Sequence, residues 1–365
     1  MPASLPSDLI RKEVAQLPTY NAGLALDQFK ARYGVDCLAK LDSNESPMGP
    51  SPLAIKAMQD AATGVGRYPD AANTALRDLI ARSMGTQADR VIVGNGSEDL
   101  IGALFRAVIR PEDKVVTICP SFGLHEFGAQ MFGATVTKVN FNADWSFPVD
   151  GLREALRSKP RVLIFSSPSN PAGPAISETE FRQVIADTDP ATLICFDEAY
   201  AEFIESSKRF NALQILDDAG KPSIILRTFS KAYGLAGARV GYGIASDPQL
   251  VAAFMKTRNP FGVNAMAACG ASEAIGDRAH LDKTVGLATR ERERVATALT
   301  SKGYKCAPSQ TNFVFFDTGA SAKILAEKLR TKGVLIKAWL EEPFENWARV
   351  TVGTPAENDA FLNAL

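Results

Sequence analysis

The sequence predicts an α/β protein: a mostly parallel, seven-stranded sheet between helices, with a smaller α+β domain beside it. Three observations carry that expectation. Seven short apolar runs lie between residues 91 and 245, several of them unbroken Val/Ile/Leu stretches; strands buried on both faces of a parallel sheet read this way, whereas half-exposed strands alternate. Helical periods fill the gaps between those runs, which gives a βαβ rhythm. From about residue 265 the texture changes to a long, charge-rich helical stretch followed by shorter strand-like runs.

Taken in order, the first forty or so residues are interrupted by Pro2, Pro6 and Pro18 and hold too little apolar sequence for a core. They are expected to pack across the domains or against a partner chain. The expected strands are VIVG (91–94), KVVTIC (114–119), ATVTKVNF (134–141), RVLIFSS (161–167), TLICFDE (192–198), SIILRTFS (223–230) and ARVGYGIA (238–245), with helices over 100–109, 124–132, 150–157 and 178–186. The smaller domain is expected to contain one long helical stretch and strands at NFVFFD, GVLIKAW and ARVTVG. The division is 45–264 for the large domain, with 1–44 and 265–365 forming the N-terminal segment and the small C-terminal domain.

Composition narrows the function. A chain of 365 residues with 46% apolar and 22% charged residues is ordinary for a globular protein of two domains, or of one large domain with a lobe. A formal charge of −1 gives no general attraction for nucleic acid or an anionic membrane. Cys37, Cys119, Cys195, Cys269 and Cys306 are scattered without a CxxC pair, which fits a reducing compartment. Two histidines without paired spacing offer no zinc site. MPASLPSDLIRKEV lacks the apolar centre of a signal peptide, and no run reaches membrane-spanning length, so a cytoplasmic location is expected.

Ligands of open α/β sheets gather at the carboxyl ends of the strands, and five strand ends here finish in polar or glycine-rich text: GNGSED, CPSFGLH, SSPSNPAG, FDEAYAEF and RTFSKAYGLAGAR. NGSED precedes a helix rather than a second strand. The backbone N–H groups of Gly96, Ser97 and Glu98 at that helix start would hold an anion. Lys231 follows a buried strand, where desolvation favours the neutral amine that a Schiff base needs. Thr228, Ser230 and Arg239 surround it with groups that bind phosphate; the alternative is a surface lysine at a helix start.

Asp197 ends an apolar strand, where a carboxylate needs a partner. A protonated pyridine nitrogen would satisfy it, as would a helix N-terminus. Tyr200 follows within reach of a phenolate on the same ring. Asn170, between two prolines, is an amide that can donate to that phenolate, or part of a plain turn. Phe122 can lie flat on a heterocycle, and His125 stands either behind Asp197 or as a structural histidine. A reactive lysine, a carboxylate for a ring nitrogen, phenolate partners, a stacking aromatic and a phosphate cup are together the requirements of pyridoxal 5′-phosphate. The dinucleotide fingerprint is excluded, because GNGSED lacks its third glycine.

Over nearly its whole length the chain resembles fold-type I aminotransferases of class I/II, and within them the histidinol-phosphate aminotransferase family. LDSNESPMGPSP, GRYPD, NGSED, SPSNPAG, FDEAY, TFSKAYGLAGARVGY and ARVTVGTPAEN carry the likeness. The resemblance implies pyridoxal phosphate, with Lys231 as the Schiff-base lysine, Asp197 as the ring-nitrogen partner and Tyr200 with Asn170 as the phenolate partners. Ser97, Glu98, Ser230 and Arg239 match the phosphate cup. Phe122 takes the stacking position, where the family usually has tyrosine. Tyr68 matches a residue that reaches the cofactor phosphate of the neighbouring subunit, which implies a homodimer with shared sites.

The resemblance further places Arg349 at the substrate carboxylate or an equivalent anion, and Tyr20 and Asn44 on the wall of the substrate pocket. Lys337 stands where many members carry an arginine thought to contact the substrate phosphate. The implied reaction joins a small-molecule amino donor, histidinol phosphate, to 2-oxoglutarate. An aromatic amino acid aminotransferase and a phosphothreonine decarboxylase of similar fold use the same site and remain as alternatives. A transcriptional regulator built on this fold would need a DNA-binding domain ahead of it, and the short, proline-broken N-terminal segment does not supply one.

Overall fold

Residues 8–19 and 23–365 are described by a computed structural model. Twelve strands form two sheets among the described residues. The larger contains β2 (Val91–Gly94), β3 (Lys114–Cys119), β4 (Thr135–Asn140), β5 (Val162–Ser166), β6 (Leu193–Asp197), β7 (Ser223–Thr228) and β8 (Gly241–Ala245) in the order β2-β8-β7-β6-β5-β3-β4. All seven runs expected from the sequence are present. Every neighbouring pair is parallel except those made by β8, which runs antiparallel to both β2 and β7.

Burial explains the reading of the runs. Each residue of β2, β5, β6 and β8 is buried, whereas the edge strand β4 leaves four of its six residues exposed. Helices Ser97–Val108, Gly123–Gln130, Val149–Leu156 and Glu178–Asp187 fall within a few residues of expectation. The last starts with a capping box, in which Ser177 and Glu180 satisfy each other's backbone N–H groups. In-register pairing of Ser166, Asp197 and Leu226 brings the carboxyl ends of β5, β6 and β7 to one edge, where the polar text of the sequence accumulates.

The smaller sheet contains β1 (Ala39–Leu41), β9 (Lys305–Cys306), β10 (Phe313–Asp317), β11 (Val334–Ala338) and β12 (Trp347–Thr351), in the order β1-β11-β12-β10-β9. Strand β1, from the proline-broken N-terminal region, pairs in parallel with β11, and its Ala39 and Leu41 are buried in the core of this sheet. The long helical stretch divides into Ala265–Gly276 and Arg278–Ser301, a difference from the single stretch expected. Asp277 makes the break: its carboxylate caps the second helix at the His280 N–H and accepts from the Ser51 hydroxyl at 2.5 Å. The second helix spans the two cores, with Leu281 and Ala288 in that of the larger sheet and Val295 and Leu299 in that of the smaller. No described helix is long and apolar enough to cross a membrane.

Candidate active site

The strand ends converge on a cleft of about 580 Å³ whose walls include Gly96, Ser97, Glu98, Phe122, Asn170, Asp197, Tyr200, Thr228, Ser230, Lys231 and Arg239. Residues up to 216 positions apart in the chain, Gly23 and Arg239, thus share one space, which local sequence alone does not dictate.

Lys231 lies just beyond β7, and its amine donates to the Ser43 carbonyl at 3.2 Å. Burial, then the nearby Arg349 charge, lowers its pKa from the usual lysine value to about 7, against an upward pull from Glu45. A substantial fraction of this amine is therefore neutral at physiological pH, as nucleophilic attack on a carbonyl requires. Its Nζ lies over the Tyr200 ring, 5.9 Å from the centroid.

Asp197 is the last residue of β6 and is almost fully buried. The Ala199 N–H donates to its Oδ1 at 3.1 Å, and His125 Nε2 lies 3.2 Å from Oδ2. Ser121 Oγ lies 3.1 Å from the other ring nitrogen of His125. The Ser121–Nδ1 contact and the Nε2 contact to the carboxylate form a buried chain behind Asp197 that fixes its orientation. His125 therefore stands behind Asp197 rather than in an unrelated structural place. Phe122, at the start of the same helix, contacts the His125 ring edge-on at 5.7 Å between centroids.

The expected anion cup lies where the chain turns from β2 into the helix Ser97–Val108. Gly96 has φ +80, and a Cβ there would come within 2.6 Å of an Arg239 guanidinium nitrogen. Gly241 opens β8 against the same turn, where a Cβ would lie 2.5 Å from the Ser97 nitrogen. The positive φ at Gly96 and the close backbone approach at Gly241 are what favour glycine at these positions. Arg239 itself has φ +58, an uncommon conformation for a residue other than glycine, and it aims the guanidinium at this turn. It donates to the Ala236 carbonyl at 3.2 Å and lies 3.7 Å from the Glu98 carboxylate. The Thr228 hydroxyl accepts from the Ser230 N–H at 3.1 Å.

Gly23, Leu24, Ala25, Gln28, Ser43, Glu45 and Lys40 of β1 line the other side, and Arg349 and Lys337 stand outside the lining residues. Arg349, in β12, is buried; its guanidinium donates to Asn170 Oδ1 at 2.5 Å and to the Asp42 carbonyl at 2.8 Å, and lies over the Phe313 ring. Lys337 is directly across from Arg349 in the β11–β12 ladder, half-buried, and its pKa is lowered by burial and then by the Arg349 charge. Asn44 differs from the expected pocket wall. Its amide donates to the Tyr200 hydroxyl at 2.8 Å and accepts from Thr351 at 3.1 Å, which leaves Ser43 and Glu45 lining the cleft on either side of it. With φ 55, Asn44 makes the bend that turns its neighbours inward.

Tyr68 is 83% exposed and stacks on Phe261 with centroids 4.6 Å apart, away from the residues that line the cleft of its own chain. Tyr20 lies outside the described residues. The Ser43 carbonyl, Glu45, and Lys40, whose ammonium donates to Glu45 at 2.8 Å and Asp42 at 3.1 Å, were not singled out by the sequence. LDSNES reads locally as a turn, and only the tertiary fold brings it to Lys231.

These groups fit a phosphorylated pyridine aldehyde: a partly neutral amine, an oriented carboxylate, and a helix start with a cation beside it occupy one cleft. The family model of aminotransferase class I and II matches residues 38–365. Histidinol-phosphate aminotransferase 1 of Mesorhizobium japonicum is 44% identical over 362 residues, covering 99% of each chain. Histidinol-phosphate aminotransferase 3 of Rhizobium meliloti is also 44% identical, over 99% of this chain and 98% of that protein. The crystal structure of histidinol-phosphate aminotransferase from Sinorhizobium meliloti in complex with pyridoxal-5'-phosphate superimposes with a TM-score of 0.90 at 28% identity, covering 98% of this chain and 96% of that one.

Proposed function

The chain belongs to the aminotransferase class I and II family, and we propose that it is a cytoplasmic, homodimeric histidinol-phosphate:2-oxoglutarate aminotransferase that uses pyridoxal 5′-phosphate. The observation that carries the reading is the position of Lys231, its amine held partly neutral in the cleft that also contains Asp197 and the Gly96–Ser97–Glu98 turn. The names of the 44%-identical relatives support the choice of amino donor.

The cofactor supplies an aldehyde that condenses with amines and a ring that accepts the electrons released at the substrate carbon. Lys231 would hold the cofactor aldehyde, and its neutral amine would serve as the base that takes a proton from the substrate carbon. Asp197, oriented by His125 and the Ala199 N–H, faces the ring nitrogen. Tyr200 and Asn170 hold the ring oxygen, and Phe122 covers one ring face. The N–H groups of Gly96, Ser97 and Glu98, the hydroxyls of Thr228 and Ser230, and Arg239 bind the phosphate. Arg349 and Lys337 take the anionic end of the substrate, and Tyr20 and Asn44 shape the pocket around it, Asn44 through its bend.

Residues 45–264 form the cofactor-binding domain in this reading, and 1–44 with 265–365 the small domain and N-terminal segment. Tyr68 serves the neighbouring subunit. Its exposure beside Phe261, together with the exposed Leu53, Ile55 and Val65, supports a second copy of the chain covering this face.

A donor panel with 2-oxoglutarate tests the proposal. Histidinol phosphate should give the highest kcat/KM among histidinol phosphate, phenylalanine, tyrosine and phosphothreonine. A preference for phenylalanine or tyrosine would replace the reading with an aromatic aminotransferase, and carbon dioxide release from phosphothreonine with a decarboxylase.

A further inference from the structure

The seam between the two sheets contains a polar junction that none of the assigned roles uses. Glu341 lies in the loop that joins β11 to β12, four residues after Lys337. Its carboxylate receives three donors. Lys138 Nζ, on the edge strand β4, donates to Oε1 at 2.9 Å; the Cys119 thiol, at the end of β3, reaches the same oxygen at 3.3 Å; and the Trp339 indole N–H donates to Oε2 at 3.2 Å. Lys138 also pairs with Glu126 at 3.3 Å, on the helix that carries His125.

An isolated ion pair at a surface contributes little, but this one is neither isolated nor fully exposed. The side chains of Lys138 and Glu341 keep about a third and a quarter of their exposure. Burial would lower the lysine pKa, yet Glu341 and Glu126 more than offset it and the net shift is upward. Burial and then Glu341 push the Cys119 thiol up to about 12, so it stays a protonated donor.

The junction is placed to control geometry. On the large-sheet side it seizes the end of β3, immediately before the run that delivers Ser121, Phe122 and His125 to the cleft. On the small-sheet side it holds the loop whose two strands carry the paired Lys337 and Arg349. An apolar seat lies alongside: Trp145, from the turn after β4, packs on Phe315, Phe344 and Trp347 with centroids 4.6–5.8 Å apart. That seat holds the sheets together but is non-directional. The charged, three-donor contact at Glu341 is directional.

We propose that Glu341 and Lys138 are positioning residues: their contact docks the β11–β12 loop onto the ends of β3 and β4 and thereby sets the Lys337–Arg349 pair at the distance from the cofactor site that an anionic substrate requires. This rests on the reading of Arg349 and Lys337 as the substrate-anion residues.

The test uses the cofactor-loaded enzyme and two variants at the exposed partner, Lys138→Met and Lys138→Arg, with glutamate and histidinol phosphate as donors. Lys138→Met should raise the KM of both donors roughly tenfold, the scale of one charge-assisted contact, with kcat within about twofold and the cofactor absorbance unchanged. Backbone hydrogen exchange should quicken over residues 338–347 while remaining unchanged in β6 and β7. Lys138→Arg should restore both measurements. Unchanged exchange in Lys138→Met overturns the docking, and faster exchange with unchanged KM for glutamate overturns the positioning role. A wild-type enzyme that ignores histidinol phosphate sinks the donor assignment alone, since the glutamate and exchange arms still decide this one.

Discussion

The guanidinium of Arg349 donates to the side-chain oxygen of Asn170 at 2.5 Å, joining β12 of the smaller sheet to the loop after β5 of the larger. With that oxygen engaged, the NH₂ group of Asn170 is the end left to meet a ring oxygen, so the arginine fixes which way the amide points. A second Arg349 nitrogen is held by the Asp42 carbonyl at 2.8 Å. The cation assigned to the substrate and the amide assigned to the cofactor are thus one unit. Arg349→Ala should lower the efficiency of both half-reactions roughly ten- to hundredfold, as expected for a lost charge-assisted contact, and should also perturb the cofactor absorbance. In a double-mutant cycle with Asn170→Ala the effects should be non-additive. Strict additivity in kcat/KM would separate the two residues.

The depressed pKa of Lys231 has a stability consequence with a definite sign. The folded amine titrates near 7 while an unfolded lysine keeps its usual value. Between those pH values the unfolded chain binds more protons, so the stability of the cofactor-free protein should rise with pH across that window. The penalty is complete below about pH 7 and fades as pH climbs toward the ordinary lysine range. Lys231→Ala removes it, so this variant should gain most over wild type in urea unfolding at neutral pH and lose that advantage near pH 10. A constant difference across the range would mean the amine is not desolvated.

Asp197 and His125 should separate by magnitude. Asp197→Asn keeps the shape but removes the charge proposed to face the ring nitrogen, and turnover should fall at least roughly hundredfold, given tenfold per 1.36 kcal/mol. His125→Asn keeps a donor toward Asp197 but loses the Ser121 chain, and a smaller fall, roughly tenfold, is expected. Steady-state kcat for the two variants checks the order, and equal losses would place His125 on a par with the carboxylate.

How much of this was legible in the sequence follows from how local each signal is. The strands of the larger sheet read clearly because unbroken apolar runs such as VLIF have no other comfortable place than between two helical layers. Lys231 and Asp197 stand out because a charged residue at the end of such a run demands a partner, and both line the cleft. Strand β1 did not, since three residues, Ala39 to Leu41, carry no period and become a strand only through pairing with β11. The break at Asp277 was hidden because its cap depends on Ser51, far away in the chain. Asn44 was attributed to the pocket wall by resemblance; its contacts with Tyr200 and Thr351 are tertiary and leave no local trace.

Tyr68 should act in trans. Its ring is exposed and stacked on Phe261 in its own chain. Mixing Lys231→Ala chains with Tyr68→Phe chains should create hybrid dimers in which one of the two sites carries neither defect, so activity should recover after subunit exchange. Exchange verified by mass, with no recovery, would refute a shared site.

The substrate anion provides the last test. Histidinol phosphate presents a dianionic phosphate and no carboxylate, while glutamate presents carboxylates alone, so one pocket must serve both. Arg349 suits either group through its planar fork. Lys337 faces it across the ladder, and burial together with the Arg349 charge disfavours its protonated form. The Arg349 charge disfavours protonated Lys337 against an upward pull from Asp42, and a bound dianion offsets that repulsion more than a single carboxylate does. Lys337→Ala should therefore raise the KM for histidinol phosphate roughly tenfold or more while changing that for glutamate much less. Lys337→Arg should retain the phosphate donor, because the charge remains. Equal small effects on every donor would mean that Lys337 contributes no phosphate contact, and the aromatic aminotransferase reading would then gain the ground that the phosphate donor loses.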